Sequence, residues 1–210
     1  MPILNLEIMQ LMPAIGFFIL NVFIPGPNVL NTIATSIGSG RKPGIACAIA
    51  TGLGVIITSL FALFGATILF DKFPLIYQSL TLIGGLLLLY FAKRYIYKAI
   101  LNIQKLTAIR NIKFKIAFKD AFLVLISNPK MMTTYIAVIS LFPIVASNKN
   151  NAILFSLIAG ICSFTGHFIF ATIFSTSIAS QIYMKLYKPI NGLVGLGFII
   201  YSIKLFLSLL

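Results

Sequence analysis

The sequence predicts an all-α integral membrane protein of about six transmembrane helices, and three observations carry that prediction. Sixty per cent of the 210 residues are hydrophobic and only 9% are charged, against about 25% charged in an ordinary soluble domain. Three acidic residues, Glu7, Asp71 and Asp120, and 16 basic ones cannot wet the outside of a globule this size, so lipid must solvate most of it. Mean hydropathy is +1.06, and the apolar residues run in blocks that reach the roughly 20 residues a spanning helix needs. The basic residues fall mostly between those blocks, as topology signals do.

The apolar segments cover about 8–37, 43–70, 75–97, 117–146, 152–180 and 189–209. Gly38-Ser39-Gly40-Arg41-Lys42-Pro43-Gly44 ends the first, and Asp71-Lys72-Phe73-Pro74 ends the second. A basic stretch over 98–119 follows the third. Ser147-Asn148-Lys149-Asn150-Asn151 follows the fourth, and Lys185-Leu186-Tyr187-Lys188-Pro189 precedes the sixth. The whole of 1–210 reads as one membrane domain, with a three-helix unit over 1–97, the basic loop 98–119 and a second three-helix unit over 120–210.

Twelve of the 16 Lys and Arg residues flank or fill the loops after segments one, three and five. Short loops rich in these residues stay cytoplasmic, which places both termini outside. No Lys or Arg precedes Arg41, so the N-terminus lacks the basic region of a cleaved signal and reads as a first spanning helix. Tyr90, Tyr95 and Tyr97 at the end of segment three, with Tyr183 and Tyr187, form the expected interfacial aromatic belt. A net charge of +13 could suggest nucleic acid, but no basic face with polar surroundings exists, so no nucleic-acid partner is expected. The bilayer is the expected macroscopic partner, with homo-oligomerisation left open.

A weak internal repeat runs through the chain. Ile24-Pro25-Gly26-Pro27-Asn28 answers Ile126-Ser127-Asn128-Pro129-Lys130, Gly52 answers Gly160, and Ile83-Gly84-Gly85-Leu86 answers Ile190-Asn191-Gly192-Leu193. The offsets are 102, 108 and 107 residues. Three helices per unit reverse the orientation of the second copy, the inverted-repeat plan of many secondary transporters. Segments one and four are then the broken helices.

Pro25-Gly26-Pro27-Asn28 is the most informative tetrapeptide. Two prolines remove backbone donors and clash with the preceding turn, so the helix must break. Carbonyls freed at membrane depth are tolerated only against protein or water-filled space. The helix restarting after Pro27 presents unpaired N–H groups and a positive dipole end, which suits a carboxylate; the alternative is a packing kink without a ligand. Pro25, Gly26, Pro27, Asn28, Asn128, Pro129 and Lys130 are therefore the candidate substrate-binding residues, with Asn21 and Asn191 as further neutral polar groups. Lys130 either meets a substrate carboxylate or snorkels to the interface. His167, the one histidine, lies within segment five and is a candidate for proton coupling; a neutral imidazole bonded to a carbonyl is the other reading. The glycines at 52, 54, 65, 84, 85, 192, 195 and 197 read as helix-packing surfaces. There is no paired membrane carboxylate, no G-x-S-x-G and no metal-binding cluster, so neither catalysis, nor a metal, nor another cofactor is expected.

These blocks together resemble the lysine-exporter (LysE/RhtB-type) translocator family of bacterial inner-membrane amino-acid exporters. The resemblance is carried by Pro25-Gly26-Pro27-Asn28 with Gly40-Arg41-Lys42-Pro43-Gly44 and Gly52-x-Gly54, by Asn128-Pro129-Lys130 with Phe142-Pro143, and by the helix from Asn191-Gly192 to Gly197. It spans nearly the whole chain. It implies six helices, no prosthetic group, and export of amino acids driven by the proton-motive force. Many members carry an Asp where this chain has Val55, and another in the fifth helix, where it reads Thr165-Gly166-His167. With no carboxylate to pair with a basic side chain, a neutral substrate is expected. A non-transporting scaffold or assembly subunit is the alternative.

Overall fold

The computed structural model describes residues 2–24, 26–72, 74–100 and 112–207. Pro25 and most of the basic loop, including Lys105 and Arg110, lie outside the described residues. The described residues form α1 (Pro2–Phe23), α2 (Pro27–Ser39), α3 (Arg41–Lys72), α4 (Pro74–Ile100), α5 (Phe114–Ile126), α6 (Pro129–Leu141), a 3-10 turn (Pro143–Ala146), α7 (Lys149–Ile173) and α8 (Ser177–Leu207).

Among the described residues, Arg41–Ala66 of α3 and Lys149–Ile173 of α7 are long and apolar enough to cross a membrane. Two further spans arise if each bent pair counts as one, α1 with α2 at 47° and α5 with α6 at 51°. These bends fall where the two proline motifs predict them. Pro27 and Pro129 each open a new helix, where the missing N–H has no partner to lose and the fixed φ suits the first turn. Asn128 caps α6, its Oδ1 accepting from the Lys130 backbone N–H at 3.0 Å. Replacing it with Ala should cost the α6 start about 1 kcal/mol, measurable as a lower thermal midpoint of the purified protein. Gly26 precedes α2 without a side-chain cap.

The boundary between segments five and six differs from the sequence reading. The chain turns at Phe174–Thr176, and α8 then runs from Ser177 through Lys185 and Pro189. Ser175 and Thr176 end α7 by donating their hydroxyls back to Thr172 O at 2.7 Å and Ile173 O at 2.8 Å, which satisfies carbonyls a helix end leaves orphaned. The 31 residues of α8 extend about 46 Å at 1.5 Å per residue, more than a hydrocarbon core of about 30 Å. Its first turns therefore have the length to lie at the interface and keep Lys185 and Lys188 there. Similarly, α5 begins at Phe114, so Lys115, Lys119 and Asp120 lie on a helix and not in a loop. At the α2–α3 corner Gly40 has φ 87°, a left-handed conformation that glycine adopts at little cost.

Several helix contacts come in matched pairs, although α2–α3 and α4–α6 have no counterpart of similar extent in α6–α7 or α8–α2 among the described residues. α3 lies along α7, and α4 along α8. α1 packs on α7 as α5 packs on α3, α2 meets α7 as α6 meets α3, and α1 meets α6 as α5 meets α2. The α3–α7 crossing is made at Gly52 and Gly160. A Cβ on Gly52 would come within 3.2 Å of Gly160 O, and one on Gly160 within 3.0 Å of Gly52 O, so only hydrogens fit between these backbones. Phe18 and Phe155 meet edge-on in the core, with centroids 5.9 Å apart. Tyr90 and Tyr97 are exposed as interfacial residues should be, whereas Tyr95 is buried against Phe198, with centroids 5.6 Å apart.

Candidate functional site

The two breaks meet. Lys130 stands in the first turn of α6, a place where a cation opposes the positive end of the helix dipole. Its side chain does not snorkel: it is only 6% exposed and crosses to α1. There its Nζ donates to Asn21 O and Ile24 O, both at 2.9 Å. Asn21 O belongs to the last turn of α1 and Ile24 O lies just past it, at the negative end of that helix dipole, where Asn21 O also accepts the Ile24 N–H at 3.2 Å. A charge that is unfavourable on its own helix is thus accommodated by the broken end of another.

The surrounding polar groups hold this bridge. Thr134 donates to Asn21 Oδ1 at 3.2 Å and, one turn on from Lys130, also lies 2.7 Å from Lys130 O. Gly26 lets the lysine pass, because a Cβ there would lie 2.9 Å from Lys130 Cδ and 3.5 Å from Tyr95 Oη. Thr32 of α2 approaches Asn28 O at 3.0 Å and His167 Nδ1 at 2.8 Å, tying α7 to the start of α2. His167 is 3% exposed and Asn28 7% exposed. The Asn28 Oδ1 is buried with no hydrogen-bond partner among the described residues, an arrangement that costs about 1–3 kcal/mol unless a donor arrives.

Asn21, Gly26, Asn28, Asn128, Lys130 and His167 all line one cavity, together with Ser163 and the apolar Phe18, Val22, Val29 and Met131. Its volume is about 20 Å³, room for a single water molecule. Admission of anything larger requires the broken spans to separate. Of the sequence candidates, Gly26, Asn28, Asn128, Lys130 and His167 are brought together here. Pro27 and Pro129 open α2 and α6 beside the cavity, Pro27 without lining it, and Pro25 lies outside the described residues. Asn191 is fully buried within α8, away from the cavity. Thr32, Thr134, Ser163 and Tyr95 were not legible as neighbours of these breaks, since nothing local to them distinguishes them from other polar residues on apolar helices. Among the described residues no group of His, Cys, Asp or Glu could hold a metal ion.

Two interrupted helices that meet around a buried lysine, inside an apolar helical bundle, are the arrangement from which many secondary transporters build their substrate sites. The chain belongs to the LysE type translocator family, whose model matches residues 19–209. It is 25% identical over 189 residues to the leucine efflux protein of Salmonella typhimurium (strain LT2), covering 88% of each chain. It is equally similar, at 25% over 194 residues and 90% of each chain, to the leucine efflux protein of Enterobacter sp. (strain 638). A shorter stretch of 78 residues is 33% identical to the uncharacterized membrane protein YahN of Escherichia coli (strain K12), covering 37% of this chain and 35% of that one. No solved structure matches the chain.

Proposed function

We propose that this protein exports amino acids with uncharged side chains across the bacterial inner membrane, driven by the proton-motive force. The observation that carries the reading is the set of groups around one cavity: a buried ammonium, an uncapped helix start and an unpartnered amide oxygen. A substrate carboxylate would accept from Lys130 Nζ and from the free N–H groups of the first turn of α2. The substrate ammonium would donate to Asn28 Oδ1, giving that oxygen the partner it lacks. Asn128 holds the first turn of α6, and with it Lys130, in place. Among the described residues no carboxylate lines the cavity, so a basic side chain would have nothing there to pair with and would bear its full desolvation cost. The names of the Salmonella and Enterobacter relatives, leucine efflux proteins, support an uncharged amino acid as the cargo. His167, beside Thr32 at the α2–α7 contact, is the proposed proton-coupling group.

The matched contacts, α1–α7 with α5–α3, α2–α7 with α6–α3 and α1–α6 with α5–α2, support reading the chain as two inverted three-helix units, 1–97 and 120–210, and as six spans in all, with α4 and α8 as the remaining two. The distribution of Lys and Arg supports cytoplasmic loops after spans one, three and five and both termini outside.

The test is efflux of preloaded labelled leucine from cells with and without the protein. Wild type accelerates efflux, and collapse of the proton gradient removes the acceleration. Asn28→Leu abolishes it while the protein remains in the membrane, because the substitution deletes the acceptor for the substrate ammonium. Undiminished efflux by Asn28→Leu would remove this cavity from consideration as the site.

A further inference from the structure

We propose that an apolar chamber between α3 and α6 receives the aliphatic side chain of the transported amino acid. The proposal rests on the transport reading above and adds where in the protein the substrate's selectivity is set. The polar cavity, at about 20 Å³, holds charged groups and little else. Beside it lies a second cavity of about 500 Å³, and the two share Asn128 and Met131 as walls. An amino acid lying at that shared wall would direct its charged groups to Asn28 and Lys130, and its side chain would enter the larger space.

The chamber has the chemistry such a side chain requires. Ala62, Ala66, Leu125 and Ile139 line it, and its two hydroxyls are committed to each other, Thr58 Oγ1 lying 2.7 Å from Tyr135 Oη. Thr58 is also 2.8 Å from Gly54 O. A charged or strongly polar side chain would lose its water there without replacement, whereas an aliphatic one gains contact. Met131, half-buried at the boundary, is unbranched and has three rotatable bonds, so it can move aside without straining the backbone. Phe61 and Met132 are exposed at the chamber's outer rim. A smaller apolar cavity of about 220 Å³ lies between α1 and α8 around Phe17, Leu193 and Gly197. It shares only Asn21 with the polar site, and its position makes it a built-in control.

Gly65 provides the test. It lines the chamber, and a Cβ built on it meets nothing within 4 Å, so a substituent there fills the chamber without displacing protein atoms. Gly65→Ala, Gly65→Val and Gly65→Phe should reduce leucine efflux in step with side-chain size, by about ten-fold or more for Phe, while alanine efflux stays near its wild-type value. Gly197 is equally open, with nothing within 4 Å of its Cβ, and Gly197→Phe should leave the leucine-to-alanine ratio unchanged. Leucine efflux untouched by Gly65→Phe, as when a lipid tail fills the groove, overturns the proposal. So does an equal fall for both amino acids, or a ratio that shifts with Gly197→Phe and not with Gly65→Phe. Wild-type cells that release no amino acid faster than control cells would instead count against the transport reading itself, independently of the Gly65 series.

Discussion

Replacing Lys130 with Met abolishes efflux and lowers the thermal midpoint of the purified protein. Methionine keeps the length and the apolar stem of the side chain but removes every donor. Both Asn21 O and Ile24 O are bonded to Nζ at 2.9 Å; Asn21 O would keep the Ile24 N–H at 3.2 Å, whereas Ile24 O would bear the desolvation penalty of an acceptor that has lost its donor, about 1–3 kcal/mol. That is a large share of the 5–15 kcal/mol by which a typical domain is stable. The functional loss has a separate origin, since the variant offers no cation to a substrate carboxylate. Lys130→Arg separates the two effects. It keeps the charge, but a planar guanidinium must pass the gap at Gly26, where the lysine Cδ already lies 2.9 Å from the position of a Cβ. It should therefore retain most of the stability and little of the transport. Efflux per membrane-inserted molecule and melting in detergent are the two measurements. Wild-type efflux by Lys130→Met would dismiss the lysine as a substrate ligand.

Gly160→Leu should cost more structure than any other single change proposed for this chain. A Cβ at Gly160 runs into the side chain of Ile56 and comes within 3.0 Å of Gly52 O on α3. Isoleucine can change rotamer, but the carbonyl belongs to the backbone and can move only if α3 and α7 part. In lipid no hydrophobic force drives the helices back together, so association depends on the close packing that small residues permit. Gly160→Ala should cost about 1–3 kcal/mol as an overpacked contact. Leucine, several atoms larger, should leave little monodisperse protein on size exclusion. Gly16, where a Cβ meets nothing within 4 Å, is the matched control and should accept Ala with no loss. A Gly160→Leu protein as thermostable as wild type would show that the α3–α7 crossing is not held by close backbone contact.

Both effects depend on contacts that span the length of the chain, and this is where reading the sequence stops short. The breaks at Gly26-Pro27 and Asn128-Pro129 were legible, because a proline's missing N–H and fixed φ act on its immediate neighbours whatever the rest of the protein does. The cap by Asn128 is equally local. The end of α7 was misplaced because Ser175 and Thr176, inside an otherwise apolar run, stop the helix through hydroxyl bonds to their own carbonyls, and the more conspicuous Lys185-to-Pro189 stretch continues a helix. Tyr95 reads as one of three interfacial tyrosines, yet the packing of α4 on α8 turns it inward to Phe198.

The sequence by itself determined that the chain lives in lipid, that it is helical, that two of its spans are interrupted and which residues stand at the interruptions. Each follows from composition or from forces acting within a few residues. Only the tertiary structure decided that the two interruptions face one another, that Lys130 reaches across 109 and 106 residues of sequence to Asn21 and Ile24, and that His167 joins them through Thr32. The physical reason is that a freed carbonyl or a buried ammonium has no preferred partner of its own. Its partner is whatever donor or acceptor the packing of distant helices brings within 3 Å at a depth where water cannot serve instead.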